Sequence, residues 1–285
     1  MNIVLPMKSS PIVFIPSYPR SGNTFARILL AAYHGVEDLD QLEEMLPADT
    51  SAALWRSVPD YESQEVSARN NRRFRRQVLS EYRRSTPALP FRGLKTHTAN
   101  LPAFGAPAFD FEPGDRIIHL VRNPLDVVLS NADFNNHDIE TSIDLMGSSG
   151  ACVGAGTVGS IEVRGSWREN VESWLKPEAC PALLVRYEDL VGDTEGWLRR
   201  MIEFIGLPIV DDQIRQAVKN SQFSRLREQE QKNGFTEAPI KTASGRFFRE
   251  GRVEQWRTEL TYGQACRLAS LCGDAMGRLG YTQLN

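Results

Sequence analysis

The 285-residue sequence predicts a single α/β domain with a central parallel β-sheet flanked by helices and a phosphate-binding loop after the first strand. Three observations predict it. Short apolar runs of strand length alternate with stretches of helical spacing, which is the pattern of a parallel sheet with crossover helices. The first of these runs leads directly through a Ser/Pro/Gly turn into an amphipathic segment. The composition, 41% hydrophobic and 24% charged, suits a chain that buries a substantial core.

Taken in order, Pro11-Ile12-Val13-Phe14-Ile15 is a continuous apolar run, as expected of a strand covered on both faces. From Asn23, Phe25, Ile28, Leu29, Ala32 and Tyr33 recur at helical spacing. Further strands are expected at 91–95, 116–121 and 182–187. Helices are expected at 124–134, with Asn123 as cap and Pro124 at the first helical position, and at 165–175, 194–206 and 263–280. The arginine-rich stretch 62–84 predicts a solvated helix face. The glycine-rich, aperiodic stretch 142–163 predicts a long loop, either a lid or an insertion.

Composition also excludes several functions. A net charge of −3 argues against a nucleic-acid binder, which needs a basic face to displace counterions. No apolar run approaches the roughly 20 residues of a membrane span. Met1 to Lys8 lacks a basic leader with a longer apolar core, so a cytoplasmic location is expected. Cysteines 152, 180, 266 and 272 form no CxxC pair and have no histidine at zinc-ligand spacing, so neither a metal site nor a disulfide framework is expected. Only six of the 33 basic residues are lysine. The other 27 are arginine, the better bidentate partner of phosphate, although a GC-rich genome gives the same bias.

Pro16-Ser17-Tyr18-Pro19-Arg20-Ser21-Gly22-Asn23-Thr24 joins a buried strand to a helix, where backbone N–H groups and the helix dipole converge on an anion. Aligned on a Walker A loop, Ser17 stands for the first glycine, Asn23 for the lysine, and Thr24 keeps the hydroxyl. The missing lysine removes the clamp that an ATP-dependent phosphotransferase uses, and Arg20 is the nearest cation. Lys95 and His97 share a face at the end of a strand, so a cation and a base can serve one site. Arg122 and Ser130 lie where another strand runs into a helix and can hold a second phosphate.

In this order the segments resemble the sulfotransferases that use 3′-phosphoadenosine 5′-phosphosulfate (PAPS). Tyr18-Pro19-Arg20-Ser21-Gly22-Asn23-Thr24-Phe25 is similar to that family's 5′-phosphosulfate loop, usually YPKSGTTW, and Lys95-Thr96-His97 to its KTH segment. Gly165-Ser166-Trp167 and Tyr187-Glu188-Asp189-Leu190 resemble its GSW and YEDL signatures. Phe247-Phe248-Arg249-Glu250-Gly251, followed by Trp256 and Thr261, resembles its FxRKG…W…T segment.

The resemblance implies PAPS as donor, 3′-phosphoadenosine 5′-phosphate (PAP) as product, no metal, and a small-molecule acceptor such as a phenol, natural product or glycan precursor. It implies His97 as the base, with Lys95 and Arg20 neutralising charge on the transferring group. Arg20, Ser21, Gly22, Asn23 and Thr24 would hold the 5′-phosphate; Arg122, Ser130, Arg249 and Gly251 the 3′-phosphate; and Phe25, Tyr187, Ser221 and Phe223 the adenine. The expected acceptor pocket is closed by residues 142–163 and 38–60, with aromatic or apolar lining.

Four departures stand out. Arg20 replaces a lysine, Phe25 a tryptophan and Glu250 a lysine, and the family's dimer motif is degraded between Arg257 and Cys266, which leaves the oligomeric state open. Two other readings stay open: a P-loop phosphotransferase, and a nucleotide-binding module that has lost catalysis.

Overall fold

Successive side chains of a strand point to opposite faces, so the unbroken run Ile12 to Ile15 demands cover on both sides. The computed structural model describes residues 10–59, 68–102, 107–155, 160–175, 180–237, 242–249 and 251–281, and it supplies that cover. Among these residues the strands are β1 (Val13–Pro16), β2 (Gly93–Thr96), β3 (Arg116–Val121), β4 (Cys152–Ala155), β5 (Ser160–Val163) and β6 (Ala182–Arg186). Four of them form one parallel sheet in the order β2-β1-β3-β6. Val13 lies opposite both Gly93 and Arg116, and Val121 opposite Arg186.

On one face Val13, Ile15, Ile118 and Leu120 join Leu29 and Leu30 of the helix Asn23–Tyr33 and Leu198 and Ile202 of the helix Thr194–Ile205. On the other, Ile12, Phe14, Leu94 and Ile117 join Phe109 and Trp174. Each such side chain contributes about 1.5–3 kcal/mol on burial. With β1 between β2 and β3, the carboxyl ends of three parallel strands open at one edge, and Ser17, His97 and Arg122 follow them there. No helix among the described residues is long and apolar enough to cross a membrane.

Local chemistry sets the helix ends near that edge. Asn123 accepts from the N–H of Leu125 at 3.1 Å, and Pro124 opens the helix Pro124–Asn135. Ser166 and Glu169 form a reciprocal capping box at the start of the helix Trp167–Trp174.

Three expectations need correction. The stretch 142–163 holds the end of a helix, Ile139–Gly147, and the antiparallel pair β4 and β5; Ile143 and Met146 turn inward, and Glu162 and Val163 are buried. The expected helix 263–280 is two, Tyr262–Cys272 and Ala275–Arg278, interrupted at Gly273 with φ 58°. The helix Ala68–Arg84 has its solvated face at Arg73, Arg76, Gln77 and Arg84, but two of the arginines do not share it: Arg75 pairs with Asp49, and Arg83 with Asp115 at 2.7 and 2.5 Å. The side chains of both pairs are buried, beside Val78, Leu79 and Tyr82. The two aspartates lie outside the helix, so its own periodicity does not reveal them.

Asp115 also accepts from the N–H of Ile12 at 2.8 Å and of Glu112 at 2.8 Å, which ties the Arg83 guanidinium to the entry of β1. Asp115→Ala leaves the buried Arg83 guanidinium only the half-exposed Glu112 carboxylate, 3.3 Å from its Nε, and is expected to cost about 3 kcal/mol. Chemical denaturation measures this, and a midpoint unchanged from the wild type would show that solvent reaches Arg83.

Candidate active site

The loop between β1 and the helix Asn23–Tyr33 is shaped by two residues with positive φ, Arg20 at 68° and Gly22 at 91°. At Gly22 a side chain is excluded twice over, because a Cβ there would lie 2.4 Å from Cδ2 of Tyr187. Asn23 turns its amide inward and donates to the Ile15 carbonyl at 2.8 Å and to Ser17 Oγ at 3.2 Å. It braces the loop from within. The helix then begins with its free N–H groups facing the opening.

His97 lies one residue beyond β2 and is joined to this loop. Its Nδ1 is 2.8 Å from the Ser17 carbonyl, which can only accept, so Nδ1 carries the proton and Nε2 keeps its lone pair. Burial and then the neighbouring Lys95 push the imidazole down to about 4, leaving it neutral near pH 7. Asn170, fully buried, donates from one amide nitrogen to the carbonyls of His97 and Arg164, at 2.8 and 3.0 Å.

A carboxylate stands among the donors of the loop. Glu237 accepts from Thr24 Oγ1 at 3.1 Å, from Arg27 at 2.5 Å and from Lys95 Nζ at 3.4 Å. Burial would raise its pKa, but Arg27 and Lys95, with hydrogen bonds from Arg27 and Thr24, hold it at about 2. Glu237 thus marks an anion position framed by a cation, a hydroxyl and a helix N-terminus.

A second such position is built from two guanidiniums and a hydroxyl. Arg20 donates from Nε to Ser130 Oγ at 3.0 Å and from Nη2 to the Phe247 carbonyl at 3.3 Å, with its guanidinium 4.4 and 4.6 Å from the ring centroids of Phe134 and Phe247. Arg122 donates to the carbonyls of Arg20 and Arg252 at 3.2 and 3.1 Å and lies 4.5 Å from the Tyr187 ring. Neither guanidinium is paired with a carboxylate among the described residues. Burial, then Arg122, push Arg20 down to about 10, which still leaves it charged. Two desolvated cations and a hydroxyl converging in this way form a site that an anion stabilises. Asp126 holds its outer wall by accepting from the N–H groups of Glu254 and Trp256, and Glu188 fixes the turn after Arg122 by accepting from the Asn123 N–H at 2.9 Å.

Both positions open into one cavity of about 450 Å³. A sulfotransferase domain model matches residues 10–280. The chain belongs to the sulfotransferase family. It is 30% identical over 201 residues to cytosolic sulfotransferase 15 of Arabidopsis thaliana, covering 66% of this chain and 54% of the relative. To sulfotransferase 2A1 of Rattus norvegicus it is 30% identical over 178 residues, 61% of each. The matched region thus spans less than two thirds of these relatives' length. In fold it is similar to a mouse sulfotransferase solved with PAP (TM-score 0.59, 18% identity, 93% of this chain and 84% of that one) and to retinol dehydratase solved with androsterone and PAP (TM-score 0.60, 15% identity, 96% and 82%).

Within this sulfotransferase fold, the cavity is lined by Arg20, Gly22, Asn23, Thr24, Phe25, Lys95, His97, Arg122, Ser130, Tyr187, Ser221, Phe223, Arg249 and Gly251, all singled out in the sequence. Ser21 is the exception, because its side chain is buried away from the lining. Arg20, expected beside the transferring group, has its Nε on Ser130 Oγ at 3.0 Å, at the second anion position. Glu250 lies outside the described residues. None of 38–59 or 142–163 lines the cavity among the described residues; Leu46 packs over Gly93 instead, and Asp49 N–H bonds the Lys95 carbonyl at 2.7 Å along the sheet edge.

Sequence reasoning missed Glu237, Glu162, Arg164 and Asn170. Glu162 and Arg164 carried a signal, two charges at strand period just before Gly165-Ser166-Trp167, whereas Glu237 lies in a polar stretch without pattern. Because Glu237 competes for Thr24 and Lys95, Glu237→Gln is expected to raise affinity for inorganic pyrophosphate about tenfold by isothermal titration. Unchanged or weaker binding would show that the anion never meets this carboxylate.

Proposed function

We propose that the chain transfers a sulfuryl group from PAPS to a hydroxyl or amine of a small-molecule acceptor, with His97 as general base. The observation that carries this reading is one cavity holding both an Arg20–Arg122–Ser130 corner, whose two guanidiniums pair with no carboxylate among the described residues, and a neutral His97 beside Lys95. PAPS bears a 3′-phosphate that ATP lacks, and the corner suits it in charge and donor type.

In this reading Thr24 and the N–H groups at the start of the helix hold the 5′-phosphate, and displace Glu237 in doing so. Arg20, Arg122, Ser130 and Arg249 hold the 3′-phosphate, next to the backbone at Gly251. A Cβ at Gly251 would lie 2.6 Å from the Phe223 ring, so glycine allows that ring its place; Phe223, Phe25, Tyr187 and Ser221 would receive the adenine. The donor supplies the sulfuryl group and leaves as PAP. His97 takes the acceptor's proton at Nε2 as the acceptor oxygen bonds to sulfur and the sulfur–oxygen bond to the phosphate breaks. Lys95 offsets charge developing on the departing oxygen. A phosphotransferase is the weaker reading, since Asn23, in the Walker lysine position, is committed to the loop interior.

Thermal-shift titration tests the donor. PAP is expected to stabilise the protein by about 2.7 kcal/mol at a hundredfold its Kd, with 5′-AMP and magnesium ATP much weaker. Stabilisation by ATP alone would return the chain to the phosphotransferases. His97→Ala is expected to lose turnover while keeping PAP binding. The depressed pKa of His97 sets the pH profile: the imidazole is deprotonated, and able to accept a proton, at every pH above about 4. With a non-ionising alcohol as acceptor, kcat/KM is expected to stay level from about pH 8 to 6 and to fall only below about 5. An acid limb near 6.5 would indicate a solvated histidine or another base.

A further inference from the structure

Five cationic side chains line the cavity among the described residues: Arg20, Lys95, Arg122, Arg164 and Arg249. The donor reading above uses four of them. Arg164 is left over, and its position is fixed. Its N–H and that of Gly165 both bond the Ala151 carbonyl, at 2.8 and 2.9 Å, and the preceding Val163 carbonyl accepts from Ala99 N–H at 2.7 Å. The Asn170 amide then holds the Arg164 carbonyl together with that of His97, so the arginine stands beside the proposed base.

The side chain is oriented as well as placed. Nε and Nη2 both donate to Glu162 Oε1, at 2.9 and 2.6 Å, while Nη1 has no partner among the described residues. Arg164 lines the cavity and Glu162 does not, so the carboxylate backs the guanidinium from behind. The side chain of Arg164 is 26% exposed and that of Glu162 10%. A pair two residues apart on one strand end ties no two elements together, so its contribution to the fold is small, while the desolvation of both ions is costly. Held in this way, the guanidinium is a preorganised donor for an anion next to His97.

We infer that the acceptor carries a carboxylate besides the group that is sulfated, and that the Nη1 edge of Arg164 binds it. This rests on the sulfuryl-transfer reading of the same cavity. A neutral apolar acceptor would bury that N–H edge without a partner, and an ammonium would meet a like charge. The expectation of an aromatic or apolar acceptor lining is revised accordingly.

The test uses the PAP-saturated protein and matched probes: para-hydroxyphenylacetate against its amide and tyramine, and glucuronate against glucuronamide. Isothermal titration is expected to show the acid binding at least about tenfold tighter than the neutral partner in one pair or both. Arg164→Gln should abolish that ratio, and Arg164→Lys, which keeps the charge but loses the fork, should retain part of it. PAP affinity within about twofold of the wild type in both variants reports that the fold and donor site are intact. Absence of an acid preference in both pairs, absence of binding included, overturns the inference while the donor reading stands. A preference that survives Arg164→Gln overturns it too. Failure of the wild type to bind PAP would instead overturn the donor reading itself.

Discussion

The hydrogen bond from His97 Nδ1 to the Ser17 carbonyl joins the ends of two adjacent strands, and the rest of the site is arranged around it. It exists because β1 lies between β2 and β3 in a parallel sheet, so that all three chains emerge at the same edge. A histidine, a strand-to-helix loop and an arginine far apart in sequence are thereby brought to one opening without a long loop. The bond also selects the tautomer. With Nδ1 occupied by a carbonyl, the lone pair of Nε2 is left to face the cavity, and burial keeps it unprotonated.

Charge is distributed over this edge unevenly. Around Thr24 the cations are answered by Glu237, whereas around Ser130 two guanidiniums are stacked on rings and bonded to neutral oxygens. The first position is satisfied within the protein; at the second, Arg20 and Arg122 have no carboxylate partner among the described residues. A ligand with two phosphates therefore gains most at the second and must exchange with a carboxylate at the first. The asymmetry makes the second position the one at which an anion's charge counts most.

Much of this was legible in the sequence where a short stretch both makes and reveals its structure. The apolar runs at 12–15 and 116–121, the cap at Asn123 and the Ser166–Glu169 box are local patterns, and each forms where the pattern lies. The Lys95–His97 spacing and the glycine at 22 are legible for the same reason. What was not legible depends on partners distant in the chain. Arg75 and Arg83 look like solvent-facing charges until Asp49 and Asp115 arrive from other elements, and Glu237 acquires meaning only from Thr24, Arg27 and Lys95, more than 140 residues earlier. The antiparallel pair β4 and β5 was hidden differently: β4 carries Gly154, and the buried side chains of β5 include Ser160 and Glu162 rather than an apolar alternation.

Arg20 shows why a substitution within a motif has to be read in three dimensions. Where the resembling motif has lysine, an ammonium would act as a single point charge free to turn toward whichever anion lies closest. The guanidinium instead lies against both Phe134 and Phe247 while bonding Ser130 and a carbonyl, a combination that suits a flat, multidentate cation. With those bonds made at the Ser130 corner, Lys95 is the cation whose charge acts most on His97. Glu237 then matters more, because it holds that same lysine when no anion is bound. Arg20 turned toward Ser130 and Lys95 held by Glu237 act in the same direction: both make the electrostatic state around Thr24 depend on whether an incoming anion displaces that carboxylate.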